Sequence, residues 1–125
     1  INTCIACNQA CLDHTFGGKT TSCLVNPRAC HETILKYEPT QNAKTIAVIG
    51  AGPAGLAYAT TAAERGHEVS LFDAGSEIGG QFNLAKLVPG KEEFYETLRY
   101  YGKMIEKLNI KLTLKIGRAS WRERV

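Results

Sequence analysis

Residues 45–73 read TIAVIGAGPAGLAYATTAAERGHEVSLFD. TIAVIG, Thr45 to Gly50, is a short, β-branched, apolar run, the pattern of a strand buried on both faces. It runs straight into GAGPAG, Gly50 to Gly55. LAYATTAAERG follows, alanine-rich and helical, with Gly66 as its C-terminal stop. HEVSLFD, His67 to Asp73, is a second strand ending on an acid. The order is therefore strand, Gly-rich turn, helix, strand, acid. In that order Gly50 makes the tight turn, Gly52 lets the backbone approach a pyrophosphate, and Gly55 lets helix and strand pack closely. The helix N-terminus near Ala54 offers that anion unpaired N–H groups and a positive dipole end. Asp73 lies 21 residues after Gly52, where a carboxylate can accept ribose hydroxyls. The expectation is an α/β fold, a parallel Rossmann-like sheet with a dinucleotide on its Gly-rich turn. The competing reading is a Gly-rich turn with no ligand.

The turn alone does not choose between FAD and a nicotinamide cofactor. After Asp73 the chain continues GSEIGGQFN, Gly75 to Asn83. A Gly79–Gly80 pair soon after the second strand means close backbone approach to a ligand. In flavoproteins with two dinucleotide sites such a pair commonly follows the acid of the FAD site, and that resemblance favours FAD. Gln81 is placed to bond the cofactor. Lys91, just past Pro89–Gly90, is a candidate for its adenosine or phosphate end; an exposed lysine capping a turn is the equal alternative. KEEFYETLRYYGKMIEKL, Lys91 to Leu108, is amphipathic, with Phe94, Leu98, Tyr101, Ile105 and Leu108 at helical spacing. Its acids sit early and its lysines late, which suits the helix dipole. The aromatics read as core or interface, not as a cofactor stack. IKLTL, Ile110 to Leu114, alternates as a further strand.

Upstream lie five cysteines, an awkward number for a disulfide framework. Cys4, Cys7, Cys11 and Cys23 are spaced C-x2-C-x3-C-x11-C. Three thiols within eight residues can converge on one centre, and Gly17 and Gly18 permit a tight path for the loop that brings Cys23. Four thiolates suit a [4Fe–4S] cluster or zinc. Zinc sites more often show two separated C-x2-C knuckles, so the compressed spacing favours the cluster; disulfides or free thiols are the remaining possibility. A radical-enzyme motif runs C-x3-C-x2-C, the reverse order. Cys30 is left over and reads as a small buried hydrophobe near the cluster, with a ligand role as the alternative. His14 and His31 read as surface residues, with donation to cluster sulfur as the alternative.

These signals divide the chain into a cysteine module over 1–32, a polar connector over 33–44, a partial dinucleotide-binding domain over 45–115, and an Arg-dense tail over 116–125. The tail, IGRASWRERV, has no strand or turn logic and reads as non-native. The net charge of +3 falls to +1 without GRASWRERV, so no basic field suggests nucleic acid. No run approaches the ~18 apolar residues of a membrane helix. The chain starts at Ile1 and its one methionine is Met104, which reads as an internal fragment of a longer protein.

CIACNQAC, TSCLVNPRACHE, VIGAGPAGL and LFDAGSEIGGQFNLAKLVPGKEEFYETLRYY together resemble the centre of the bacterial NADPH-dependent 2,4-dienoyl-CoA reductases. These are iron–sulfur flavoenzymes built on an old-yellow-enzyme barrel, and the resemblance covers residues 1 to about 115. The related trimethylamine dehydrogenases show tighter C-x2-C-x2-C spacing, so the x3 gap between Cys7 and Cys11 favours the reductase branch, which includes 2-enoate reductases. The resemblance implies an upstream FMN barrel and a downstream nicotinamide domain in the same polypeptide. It implies electrons passing from NADPH to FAD, to the cluster, to FMN, and on to an enoyl-type CoA thioester in unsaturated fatty-acid β-oxidation. Cys4, Cys7, Cys11 and Cys23 would ligate iron. Gly50, Gly52, Ala54, Gly55, Asp73, Gly79, Gly80 and Gln81 would line FAD. Catalytic residues would lie in the barrel, outside this chain. Thiolates kept for a cluster suggest a reducing, cytoplasmic setting. A rival of another class is a zinc-stapled nucleotide-binding module without redox chemistry.

Overall fold

The computed structural model describes residues 1–117. The suspected non-native tail lies outside the described residues from 118 onward. Its first residue is tied back, with the Ile116 N–H donating to the Asp73 carbonyl at 3.1 Å.

Three parallel strands form the sheet, in the order β1 (Thr45–Ile49), β2 (Glu68–Phe72), β3 (Lys111–Thr113). Ile46 sits opposite Val69 and Val48 opposite Leu71, which puts the apolar residues of both strands on one face. A helix must carry the chain back before a parallel strand can pair. Residues 53–64 fill that role as α2 (Pro53–Glu64), where alanines and Leu56 favour helix and Pro53 occupies its first turn. The second return is the longer α4 (Glu93–Lys107). Both helices cover the same face. Val48, Leu56, Ala59, Val69, Leu71, Ile105 and Ile110 form one buried cluster, and Tyr101 and Leu108 pack against it.

The opposite face is open. Ala47 and Ile49 are exposed, so β1 is covered on one side and not on both as its composition suggests. Within the described residues no element lies on that side to cover it.

Two short helices were not legible from periodicity: α1 (Leu12–Phe16) in the cysteine module and α3 (Phe82–Ala85) after the glycine pair. The connector over 33–44 forms no helix or strand, as its composition suggests, but it is pinned. The Thr40 N–H donates to the Arg65 carbonyl at 2.8 Å, and Arg65 Nε donates to the Glu38 carbonyl at 3.2 Å. No helix of the described residues is long and apolar enough to cross a membrane.

Candidate functional site

The Gly-rich turn sits where β1 ends and α2 begins. The Gly50 N–H donates to the Phe72 carbonyl at 2.7 Å, extending the sheet by one bond. Gly55 faces the turn so closely that a Cβ there would lie 1.8 Å from the Gly50 carbonyl oxygen. Only glycine fits, which is the packing role its position suggests. Gly52 caps α2 with no side-chain partner, and space is open where its Cβ would point. The first N–H groups of the helix, including those of Ala54 and Gly55, have no carbonyl within it. Open space, free donors and the positive dipole end suit a phosphate.

Two further sequence signals fold onto this turn. Asp73, at the end of β2, accepts the Ala51 N–H on Oδ2 and the Gly75 N–H on Oδ1, both at 2.6 Å. The Gly79 N–H donates to the Ala51 carbonyl at 2.7 Å, and Gly79 has φ +119°, a backbone that side chains disfavour. Gly80 lies against Gly52, where a Cβ would be 3.2 Å from the Gly52 Cα. Gly50, Gly52, Gly55, Asp73, Gly79 and Gly80 therefore form one continuous surface. Gln81 is exposed at the head of α3, directly after the pair. Lys91 stands apart: its Nζ lies over the Phe94 ring at 5.7 Å, and among the described residues no hydrogen bond joins it to the turn. Phe94 in turn stacks on Phe82 at 4.4 Å and 8°.

The cysteine segment wraps around itself. Ala6 and Asn8, between the first three cysteines, have φ of 53° and 57°. Left-handed backbone at alanine is uncommon and persists where the surroundings demand it. The flanking Ile5 and Ala10 are buried. The Ser22 N–H donates to the Ala10 carbonyl at 2.7 Å, which joins the segment before Cys23 to the segment before Cys11. The Ala6 N–H donates to Cys4 Sγ at 3.3 Å. All five cysteines are free thiols. Among the described residues no three Cys, His, Asp or Glu side chains are gathered as a metal site. The donor set and the wrapped backbone fit a four-thiolate group; the side chains are not converged on a point. Cys30 is exposed, not the small buried hydrophobe its composition suggests, because its N–H and left-handed backbone lie on an open turn capped by Glu32.

A cavity of about 350 Å³ lies between the two regions. Ile5, Leu24 and Val25 wall it on the cysteine side, Pro53 and Ala54 at the start of α2. Phe82, Thr97 and Tyr101 close it. Thr97 is buried, and its hydroxyl has no partner. Sequence reasoning missed this residue. The available signal was a hydroxyl on the apolar stripe of α4, between Phe94 and Tyr101. Burial, foremost, pushes the Tyr101 and Tyr100 hydroxyls above the ordinary tyrosine range, so both remain donors.

Comparison with known proteins adds to this geometry. Residues 48–101 match the family described as NAD(P)-binding Rossmann-like domain. The chain is 43% identical over 112 residues to a metal reductase of Desulforamulus reducens, covering 90% of this chain and 17% of that protein. It is 35% identical over 120 residues to a bilirubin reductase of Mediterraneibacter gnavus, covering 96% of this chain and 18% of that protein. A solved 2-naphthoyl-CoA reductase superposes with TM-score 0.86 at 41% identity, over 90% of this chain and 17% of that one. The chain thus spans less than a fifth of the relatives it matches. Residues 48–101 thus resemble an NAD(P)-binding Rossmann-like domain, in a stretch that is similar to part of several oxidoreductases.

Proposed function

We propose that this chain is the electron-relay portion, FAD to [4Fe–4S] to FMN, of an NADPH-dependent reductase of the 2,4-dienoyl-CoA type. The observation that carries the reading is the shared cavity wall. Ile5 and Leu24, next to Cys4 and Cys23, face the same space as Pro53 and Ala54 at the phosphate-binding end of α2. A cysteine loop and a dinucleotide turn placed side by side suit exchange of electrons between two groups.

Cys4, Cys7, Cys11 and Cys23 would hold the cluster. Gly50, Gly52, Ala54, Gly55, Gly79 and Gly80 would bring backbone to the FAD pyrophosphate, with Asp73 toward the ribose and Gln81 beside the glycine pair. When bound, FAD accepts a hydride's two electrons and a cluster passes electrons singly. The chain's own contribution is to donate N–H groups to the phosphates, to exclude water with Ile5, Leu24 and Phe82, and to fix the spacing. The upstream FMN barrel, the downstream nicotinamide domain, the enoyl-type thioester and a reducing, cytoplasmic setting belong to the same proposal. Likeness to a 2-naphthoyl-CoA reductase supports that substrate class, and likeness to an amine oxidase and a dimethylamine dehydrogenase supports an amine as the alternative.

The test is iron, zinc and acid-labile sulfide on anaerobically purified chain, with a visible spectrum before and after dithionite. About four irons and four sulfides with a bleachable band are expected. One zinc without sulfide would replace the relay with a structural staple.

A further inference from the structure

We infer that Asp73 is a positioning residue that holds the Gly-rich turn in its phosphate-binding shape before any ribose is present. The Ala51 N–H is the group it holds. Ala51 is fully buried, so water does not serve that N–H. A buried donor without a partner is costly, and a carboxylate is the strongest partner a side chain offers. Asp73 Oδ2 meets it at 2.6 Å across 22 residues of sequence. The other oxygen takes the Gly75 N–H at 2.6 Å, so the carboxylate is held at both ends and cannot swing away from the turn.

The bond is one of three that lock the turn. Gly50 is held by the Phe72 carbonyl and the Ala51 carbonyl by the Gly79 N–H, each at 2.7 Å. Asp73 closes the remaining side. Together the three bonds join the turn after β1, the loop after β2 and the glycine pair into one body. Each carboxylate oxygen keeps a second lone pair. A ribose can still be accepted, but bracing the turn and meeting the sugar become separable tasks. Bracing serves the pyrophosphate; contact with sugar serves the nucleoside.

This inference rests on the dinucleotide reading for its ligand arm and on geometry alone for its other arm. The geometric arm uses the chain without ligand. A scalar coupling across the hydrogen bond from the Ala51 N–H to the Asp73 carboxylate is expected by NMR, and its absence overturns the brace. In Asp73→Asn, exchange of the Ala51 amide should speed up about tenfold or more, while the Val69 and Leu71 amides keep their protection and report an intact sheet. Unchanged exchange at Ala51 in a folded variant overturns the brace. If the variant does not fold, the coupling in the wild-type chain decides. The ligand arm compares inorganic pyrophosphate with ADP. Asp73→Asn should weaken both by the same factor, about tenfold. Loss for ADP alone assigns Asp73 to the sugar and overturns the inference. If the wild-type chain binds neither, the same comparison in the full-length protein judges the dinucleotide reading, while the amide data still judge the brace.

Discussion

A methyl group on Gly55 would lie 1.8 Å from the carbonyl oxygen of Gly50. Both partners are backbone, so no side-chain rotation relieves the clash. The first turn of α2 therefore stands against the end of β1 with no room for a side chain between them. That contact positions the helix N-terminus over the turn.

The Gly55→Ala variant should lose stability at or above the top of the ~1–3 kcal/mol range of overpacked cores. Its phosphate-binding turn should fail with it. Urea denaturation followed by circular dichroism reads the first effect, and pyrophosphate titration reads the second. A variant as stable as the parent would mean that α2 can shift outward freely.

Leu71 is fully buried on β2, the central strand of the sheet. Its truncation to alanine leaves a void that sheet and helices cannot both fill. The expected cost is about 2–5 kcal/mol. The shift of the urea midpoint, with an unchanged slope, measures it.

Glu68 and Lys111 join β2 to β3, with Nζ 2.7 Å from Oε1. The hydrogen bond from Lys111, and then its charge, hold the Glu68 carboxyl below its ordinary 4.5. The same bond raises Lys111 above 10.5. The Glu68 contribution is present above pH 4.5 and is lost as pH falls through its lower folded value. The Lys111 contribution is present below pH 10.5 and is lost as pH rises through its higher folded value. Both side chains are largely exposed, so the effect is small and screened by salt. The gap in melting temperature between the parent and Glu68→Gln should be widest near neutrality. It should close in acid and in concentrated salt.

Cys11→Ser should remove the iron and sulfide of the anaerobically purified chain, whereas Cys30→Ser should leave them unchanged. Metal analysis of the two variants side by side makes the comparison. Unaltered iron in Cys11→Ser would take Cys11 out of the ligand set.

The parts of the fold that were legible share one property: each is a local period. The β-branched run before Gly50, the alanine-rich stretch after it, the stripe through Phe94, Tyr101 and Ile105, and the alternation near Leu112 each declare an element within a few residues. Structure trims most of their ends by one or two positions and starts α2 at Pro53, three residues before the alanine-rich stretch. What was not legible depends on remote partners. The four residues of α3 are too few to show a period. The outward face of β1 depends on which layers surround the sheet. The use of Asp73 for the Ala51 N–H requires knowing that the two meet. Cysteine spacing suggests the proposed donors, while the Ser22–Ala10 bond that joins their segments lies in the backbone, where composition is silent.

The pinned connector has a kinetic meaning. A loose leash would let the cysteine loop and the Gly-rich turn sample many separations, and tunnelling between bound groups would average over them. Thr40 and Glu38 are instead fastened to Arg65 at the end of α2. Arg28 of the cysteine module lies over the ring of Tyr37 at 5.1 Å. In the proposed relay these ties would hold one separation, and a rate that decays exponentially with distance would become a constant of the fold.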